Sequence, residues 1–325
     1  MSQYTLYRLH GSGRYESVPP TALSDERGCC AAIGFFDGVH LGHRYLIDQV
    51  RGEAARRGEK AALVTFEEHP RLALSGTRYW PELLTPNAEK LRLLSLAGAD
   101  YCVMLHFDRA MSTLTSGEFM EQVLKKALGV TCLMVGYDHR FGSDLSAGYA
   151  AYVRQGSALG MEVRRLCPYD VGELRVSSSA VRRFLAGGNV ETARVCLGRP
   201  YRLEGEVVRG RHAGTQMGYP TANLRPLCAE QIVPGRGVYA VWAELDGFSY
   251  MAMLNIGWRP TMDNGDDQTI EAHLLDYGGG DLYGRRVKVD FFQRVRDERR
   301  FDSVDDLRAQ LAVDEDSVRA ILAKG

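Results

Sequence analysis

Two histidines three positions apart and set among glycines are the first residues of this chain whose types and spacing could do chemistry. They belong to Gly34-Phe-Phe-Asp-Gly-Val-His-Leu-Gly-His43, between an apolar run and a helical pattern. Glycine lets a backbone approach a phosphate closely, a helix N-terminus offers free N–H groups, and His40 and His43 share one face at this spacing. The segment is a candidate anion cradle. Two other readings exist: an ordinary strand-to-helix turn with incidental histidines, and a metal site. His-x-x-His lacks the i,i+4 spacing of a helical zinc pair and has no evident third ligand.

Three further clusters have chemical potential. Ser177, Ser178 and Ser179 precede Arg182 by about one helical turn, so their hydroxyls could meet a phosphate at a helix start. An ordinary Ser-rich N-cap beside a solvated Arg would look the same. Between Gly205 and Leu224 runs a basic, glycine-rich loop in which Gly210, Gly214 and Gly218 could turn backbone amides toward phosphates. Thr221 and Asn223 then place two oxygens on one face of an extended segment, a donor pair suited to magnesium carried with ATP. A plain hairpin connection is the alternative. Glu271, between Ile270 and Ala272 in a strand-like run, could aim a carboxylate into a site from a rigid element, or be a surface residue beside His273.

The elements around these residues fall into two patterns. Cys29–Ile33, 61–66, Tyr101–Leu105 and 131–135 read as short apolar strands, and helical spacings lie between them. Leu46, Ile47, Val50 and Ala54 form one such helix, Leu91 and Leu94 another that Thr85-Pro86 would cap, and Thr115-Ser-Gly-Glu118 has capping-box spacing. Alternation of this kind predicts a doubly wound parallel sheet covered on both faces, binding its ligands beyond the carboxyl ends of the strands. Past Gly187-Gly188 and a helical stretch at 190–196, Val/Tyr/Phe-rich runs broken by Gly and Pro predict a small antiparallel β-barrel, closed by a helix that opens at Ser303. The expected fold is α/β, with domains at 1–186 and 201–325 and a linker at 187–200.

The chain has 325 residues, 45% apolar and 25% charged, enough for two cores and too apolar for disorder. Its formal charge of −1 provides no global field for nucleic acid or an anionic membrane, so any phosphate binding must be local. No apolar run reaches the roughly 20 residues of a membrane span, and the polar first residues lack a signal-peptide core, so a cytoplasmic location is expected. Seven scattered cysteines with no C-x-x-C pair read as ordinary buried thiols.

The segment Gly34–His43 resembles the H-x-G-H nucleotidyltransferases, and more closely the bacterial bifunctional riboflavin kinase/FAD synthetases, matching at Gly34, Phe36, Asp37, Gly38, Val39, His40, Gly42 and His43. Phe35 stands where that family usually has Asn. Thr65-Phe-Glu-Glu-His-Pro70 is similar to its T-F-x-P-H-P segment, and Val135-Gly-Tyr-Asp-His-Arg-Phe-Gly142 to its V-G-x-D-F-x-F-G loop, with His139 replacing an aromatic and 143–148 lacking the usual basic residue. Val176–Arg182 fits S-S-[ST]-x-x-R. In the second half, Pro220-Thr-Ala-Asn223, Asn255-Ile-Gly-Trp-Arg-Pro-Thr261 and Ile270-Glu-Ala-His-Leu-Leu-Asp276 resemble the riboflavin kinase signatures, and Phe291–Phe301 continues the match.

The resemblance implies two ATP-consuming reactions: riboflavin to FMN, and FMN to FAD with release of pyrophosphate. It implies Mg2+ with ATP at Thr221 and Asn223, Glu271 as the base of the kinase, and His40 and His43 at the adenylyl transfer. Gly34, Phe36, Asp37, Gly38, Ser177–Ser179 and Arg182 would bind ATP in the first half, and Gly210, Gly214 and Gly218 in the second. Asp138, Phe141 and Arg294 are the expected flavin contacts, although Arg294 also belongs to a charge run that solvent alone would explain. A monofunctional kinase with a repurposed first domain, or a flavin-binding protein without chemistry, are the rival expectations.

Overall fold

Every residue of the strand Cys29–Ile33 is buried, and its side chains alternate between two separate cores. Cys29, Ala31 and Ile33 face Val103, Met120 and Val123 on one side, while Cys30 and Ala32 face Ile47, Val50 and Leu94 on the other. A strand with apolar contacts on both faces is the centre of a sheet covered twice. In this computed structural model the described residues are 4–24, 28–68, 82–137, 140–144, 148–209, 219–260 and 266–324.

The chain forms two compact units that divide between Ser177 and Ser178, with Glu82–Leu84 counted in the second. Among the described residues the main sheet of the first has seven strands: β1 (Tyr4–Leu9), β2 (Tyr15–Val18), β3 (Cys29–Ile33), β4 (Lys60–Phe66), β5 (Tyr101–Leu105), β6 (Val130–Val135) and β7 (Glu162–Arg165), ordered β2-β1-β5-β4-β3-β6-β7. Strands β3 to β7 pair in parallel. The order runs outward from β3 to β4 and β5, then restarts on its other side with β6. The carboxyl ends of β3 and β6 therefore flank the switch point at which open α/β sheets bind ligands.

The predicted doubly wound parallel sheet is present, and an antiparallel hairpin, β1 and β2, is added to it at the β5 edge. Along β1 only Leu6 and Leu9 are fully buried, one in each core, with Thr5 and Arg8 interrupting the run, so no continuous apolar stretch announces the hairpin. The helix Leu41–Arg57 buries Leu46, Ile47, Val50 and Ala54 as the spacing predicted, and ends on Gly58 in the left-handed conformation. Thr115 forms the expected capping box with Glu118. Thr85 does not cap the helix Asn87–Leu96, because its hydroxyl is engaged in the turn described below.

After the short pair β8 (Asp170–Val171) and β9 (Leu174–Arg175), the second unit begins with the helix Ser178–Ala186. The stretch 187–200, expected as a linker, contains the helix Val190–Leu197, which buries Val190, Ala193, Cys196 and Leu197. Strands β10 (Tyr201–Val208), β11 (Ala222–Pro226), β12 (Gly237–Leu245), β13 (Phe248–Pro260), β14 (Asp266–Leu274) and β15 (Arg286–Arg296) close into an antiparallel barrel in the order β10-β11-β14-β13-β12-β15. Strict alternation of burial along β10 is the mark of an inward and an outward barrel face. Ser303 accepts from the Asp306 N–H at 3.1 Å and starts the helix Val304–Leu322.

Candidate active sites

The turn after β3 is held in a costly conformation. Phe36 has φ +52° and Val39 φ +39°, and both side chains are fully buried. A β-branched residue at positive φ is an outlier that persists only where its surroundings over-determine it, and such strain collects at functional sites. Asp37, 2% exposed, accepts from the Thr85 N–H at 3.0 Å and the Thr85 hydroxyl at 3.3 Å. The Thr85 oxygen in turn accepts from the Gly38 N–H at 3.1 Å. Asp37 thus acts as a buried bracket of the turn.

His40 is the N-cap of Leu41–Arg57, and its Nδ1 accepts from the His43 N–H at 3.2 Å. An accepting Nδ1 leaves the ring proton on Nε2. The two imidazoles stack with centroids 3.6 Å apart and planes 15° from parallel, and Phe36 packs edge-on against His43 at 5.2 Å. Gly42 makes this possible: a Cβ there would lie 3.2 Å from Cε1 and Nδ1 of His40. The same hypothetical Cβ would be 3.5 Å from the Val176 carbonyl, so the start of the serine cluster adjoins the turn. Ser177 lies in the first unit. Ser178 and Ser179 open the helix Ser178–Ala186 in the second, where Arg182 Nε donates to the Glu82 carbonyl at 2.7 Å.

Of the flavin contacts expected in the first half, Asp138 lies outside the described residues. Phe141 is 8% exposed and belongs to the core, its ring stacked on Tyr152 at 4.4 Å and 5.6 Å from Phe119. Its aromatic type suits packing as well as it suits a flavin, and sequence does not separate the two.

In the barrel, register decides the site. Glu271 on β14 lies opposite Asn223 on β11 and opposite Asn255 on β13. Residues directly paired across antiparallel strands point to the same face, so the three form one polar row. Glu271 and Asn255 line a cavity of about 310 Å³ together with Thr221, His273 and Arg296. Thr221 and His273 also line a second cavity of about 540 Å³, bounded by Tyr277, Gly279, Gly280 and Tyr283. His273 Nδ1 is 2.8 Å from the Pro220 carbonyl, which can only accept, so Nδ1 carries the proton and Nε2 is an acceptor. Gly210, Gly214 and Gly218 lie outside the described residues.

Arg294, expected at the flavin, is absent from the lining of either cavity. A bulge is the reason. Val238 pairs with Arg296 and Tyr239 with Arg294, so one extra residue sits between the two arginines and turns them to opposite faces. Arg294 instead pairs with Asp297 at 2.9 Å and donates to the Arg236 carbonyl. Arg296 takes the cavity face, held by Asp314, which is 1% exposed and receives Nε at 3.0 Å and a terminal nitrogen at 2.7 Å. Sequence reasoning missed Asn255 and Asp314 as site residues, and it named Arg296 only within the charge run with Arg294, Arg299 and Arg300, of which Arg296 and Arg299 line the cavity. Asn255 stood in a motif already quoted, while the choice among the arginines needed the bulge to be seen.

The two halves match two families. The FAD synthetase family model covers residues 22–180 and the riboflavin kinase model residues 197–322. The bifunctional riboflavin kinase/FMN adenylyltransferase of Escherichia coli K12 is 40% identical over 297 residues, 90% of this chain and 93% of the relative. Those of the same name from Pseudomonas fluorescens and Bacillus subtilis are 36% and 33% identical, over 92% and 87% of this chain and 94% and 89% of theirs. The chain belongs to this bifunctional family. A crystal structure described as a macrolide-efflux protein from Streptococcus pneumoniae shares the fold of this riboflavin kinase/FMN adenylyltransferase family member, with TM-score 0.82 and 32% identity over 90% of this chain and 94% of that one. Among the described residues of the family member in hand, no helix is long and apolar enough to cross a membrane.

Proposed function

We propose that the chain phosphorylates riboflavin to FMN in the barrel unit and adenylylates FMN to FAD in the parallel-sheet unit, using ATP for both. The observation that carries the reading of the site residues is that Glu271, opposite Asn223 in register, lines with Asn255 a cavity that shares Thr221 and His273 with a second cavity. In that arrangement riboflavin occupies the smaller cavity and ATP the larger, with the γ-phosphate near Thr221. The Glu271 carboxylate accepts the proton of the ribityl hydroxyl as its oxygen attacks the γ-phosphorus, and the bond to the β-phosphate oxygen breaks to release ADP. Thr221 and Asn223 are oxygen donors of the kind a hard cation takes, and they would hold Mg2+ with the nucleotide. When bound there, such a cation would supply neutralisation of charge on the transferred phosphoryl group.

In the first unit an FMN phosphate oxygen attacks the α-phosphorus of ATP and pyrophosphate leaves, with no covalent enzyme intermediate. The His40 Nε2–H and the amides of the 34–43 turn stabilise charge on the α-phosphate, and the turn holds both anions in line. Ser177, in the same unit, extends the phosphate contacts. On this reading the reactions are cytoplasmic, where ATP is at hand.

Mixing the protein with riboflavin, ATP and magnesium and separating the flavins tests the reading. FMN followed by FAD is expected. FMN without FAD would reduce the chain to a monofunctional kinase, and bound flavin without ATP consumption would make it a binding protein.

A further inference from the structure

Lys90 lies in the helix Asn87–Leu96, on the apolar side with Leu91 and Leu94, and only 1% of it is exposed. Its ammonium donates to the Phe66 carbonyl at 3.1 Å and the Phe35 carbonyl at 3.5 Å, and sits 4.3 Å from the centroid of the Phe35 ring. These groups end β4 and follow β3, so the cation is lodged beneath the carboxyl edge of the sheet, under the turn that contains His40. Its hydrogen bonds go to main-chain carbonyls and not to a carboxylate. A methionine would fill such a space without the desolvation cost of a cation, so packing alone does not account for a lysine here.

The Phe35 carbonyl also accepts from the fully buried Thr65 hydroxyl at 3.0 Å. That carbonyl belongs to the peptide preceding Phe36, whose φ of +52° sets the course of the whole turn. Two donors on one carbonyl are a direct means of holding a strained φ. In a low-dielectric interior a fixed cation also projects its field further than it would in water.

We propose that Lys90 is a positioning residue for adenylyl transfer, holding the Phe35–Phe36 peptide in the phosphate-binding shape and lending the turn positive charge from below. The inference rests on the reading of the 34–43 turn as a triphosphate cradle. Phe35, where the family usually has Asn, then has a use: its ring face receives the buried ammonium.

Burial lowers the Lys90 pKa to about 8, opposed by Cys102 on β5, by Asp37 in the turn and by Glu67 after β4. The ammonium is therefore charged at pH 7 and loses its proton as pH rises past about 8. FAD formation should fall along an alkaline limb there.

The test uses the full chain and measures FAD formation from supplied FMN over pH 6.5 to about 9.5, with riboflavin phosphorylation in the same samples as the control for active protein and the thermal unfolding profile as the folding control. Lys90→Met should lower kcat/KM for ATP in FAD formation by about 10- to 100-fold, leave phosphorylation within about twofold, and abolish the limb. Lys90→Arg should recover part of the loss and also lack the limb, because guanidinium does not titrate in this range. Wild-type FAD formation by Lys90→Met, or the same limb in that variant, would overturn the proposal. Lys90→Arg no better than Lys90→Met, with phosphorylation intact, would overturn it as well. His40→Ala separates the two readings: if it too leaves FAD formation unchanged the cradle itself is wrong, and if it alone abolishes FAD formation only the role of Lys90 falls.

Discussion

Asn223 and Glu271 face each other across the antiparallel pair β11 and β14, and Asn255 faces Glu271 from the other side. A strand of a closed barrel is a rigid base for that carboxylate, which suits a group that must meet one hydroxyl. Glu271→Gln keeps the shape and removes the proton acceptor. It should lower riboflavin phosphorylation by about 100- to 10,000-fold while FAD formation from supplied FMN continues, as separation of the flavins would show. Undiminished phosphorylation would remove Glu271 from the chemistry.

His40 and Gly42 give a paired prediction for the other reaction. His40→Ala should reduce FAD formation by at least about 100-fold, the cost of one donor at a charged transition state. Gly42→Ala leaves His40 in place chemically but puts a methyl 3.2 Å from its ring. The imidazole must shift by a few tenths of an ångström, and a loss of about 10-fold is expected. Both variants should retain kinase activity, so a fall in both reactions would point to misfolding.

Away from either site, Glu53 on the helix Leu41–Arg57 binds Arg56 at 2.5 Å and Arg57 at 2.6 Å, with Arg164 at 3.1 Å. Hydrogen bonds from Arg56 and Arg57 hold its carboxyl down at about 2. A depressed carboxylate pKa stabilises the fold above the ordinary value of 4.5, and that contribution disappears as pH falls toward about 2. Glu53→Gln should therefore cost about 1–3 kcal/mol at pH 7 and much less near pH 2, measured by denaturant unfolding. An equal loss at both pH values would refute the assignment.

The cysteines predict a titration. Cys29, Cys30, Cys102, Cys132 and Cys196 are buried, Cys228 is partly so, and Cys167 is exposed, a departure from the expectation that all are buried. Burial pushes the Cys29 and Cys102 thiols up to about 12. They stay protonated and unreactive at pH 8. A thiol reagent should label Cys167 fast and Cys228 more slowly in the native protein, and all seven after unfolding. Rapid labelling of Cys102 would contradict this burial.

Local signals in the chain were enough to place the strands β3 to β6, the helix after His40, the change to a barrel beyond residue 190 and the two motifs to which the chemistry is proposed to belong. Continuous apolar runs mark strands buried on both faces, helical spacing marks Leu46 to Ala54, and glycines stand where side chains would collide. Packing between distant segments alone settled the hairpin at the sheet edge, the true neighbours of Thr85, the core role of Phe141, and the exchange of Arg294 for Arg296 in the cavity. Those depend on which residues meet across strands, and a single bulged residue reverses the face of every later residue in its strand. Lys90 shows the same limit: in the chain it is a lysine on a helix, and only packing against two carbonyl ends makes it a buried charge.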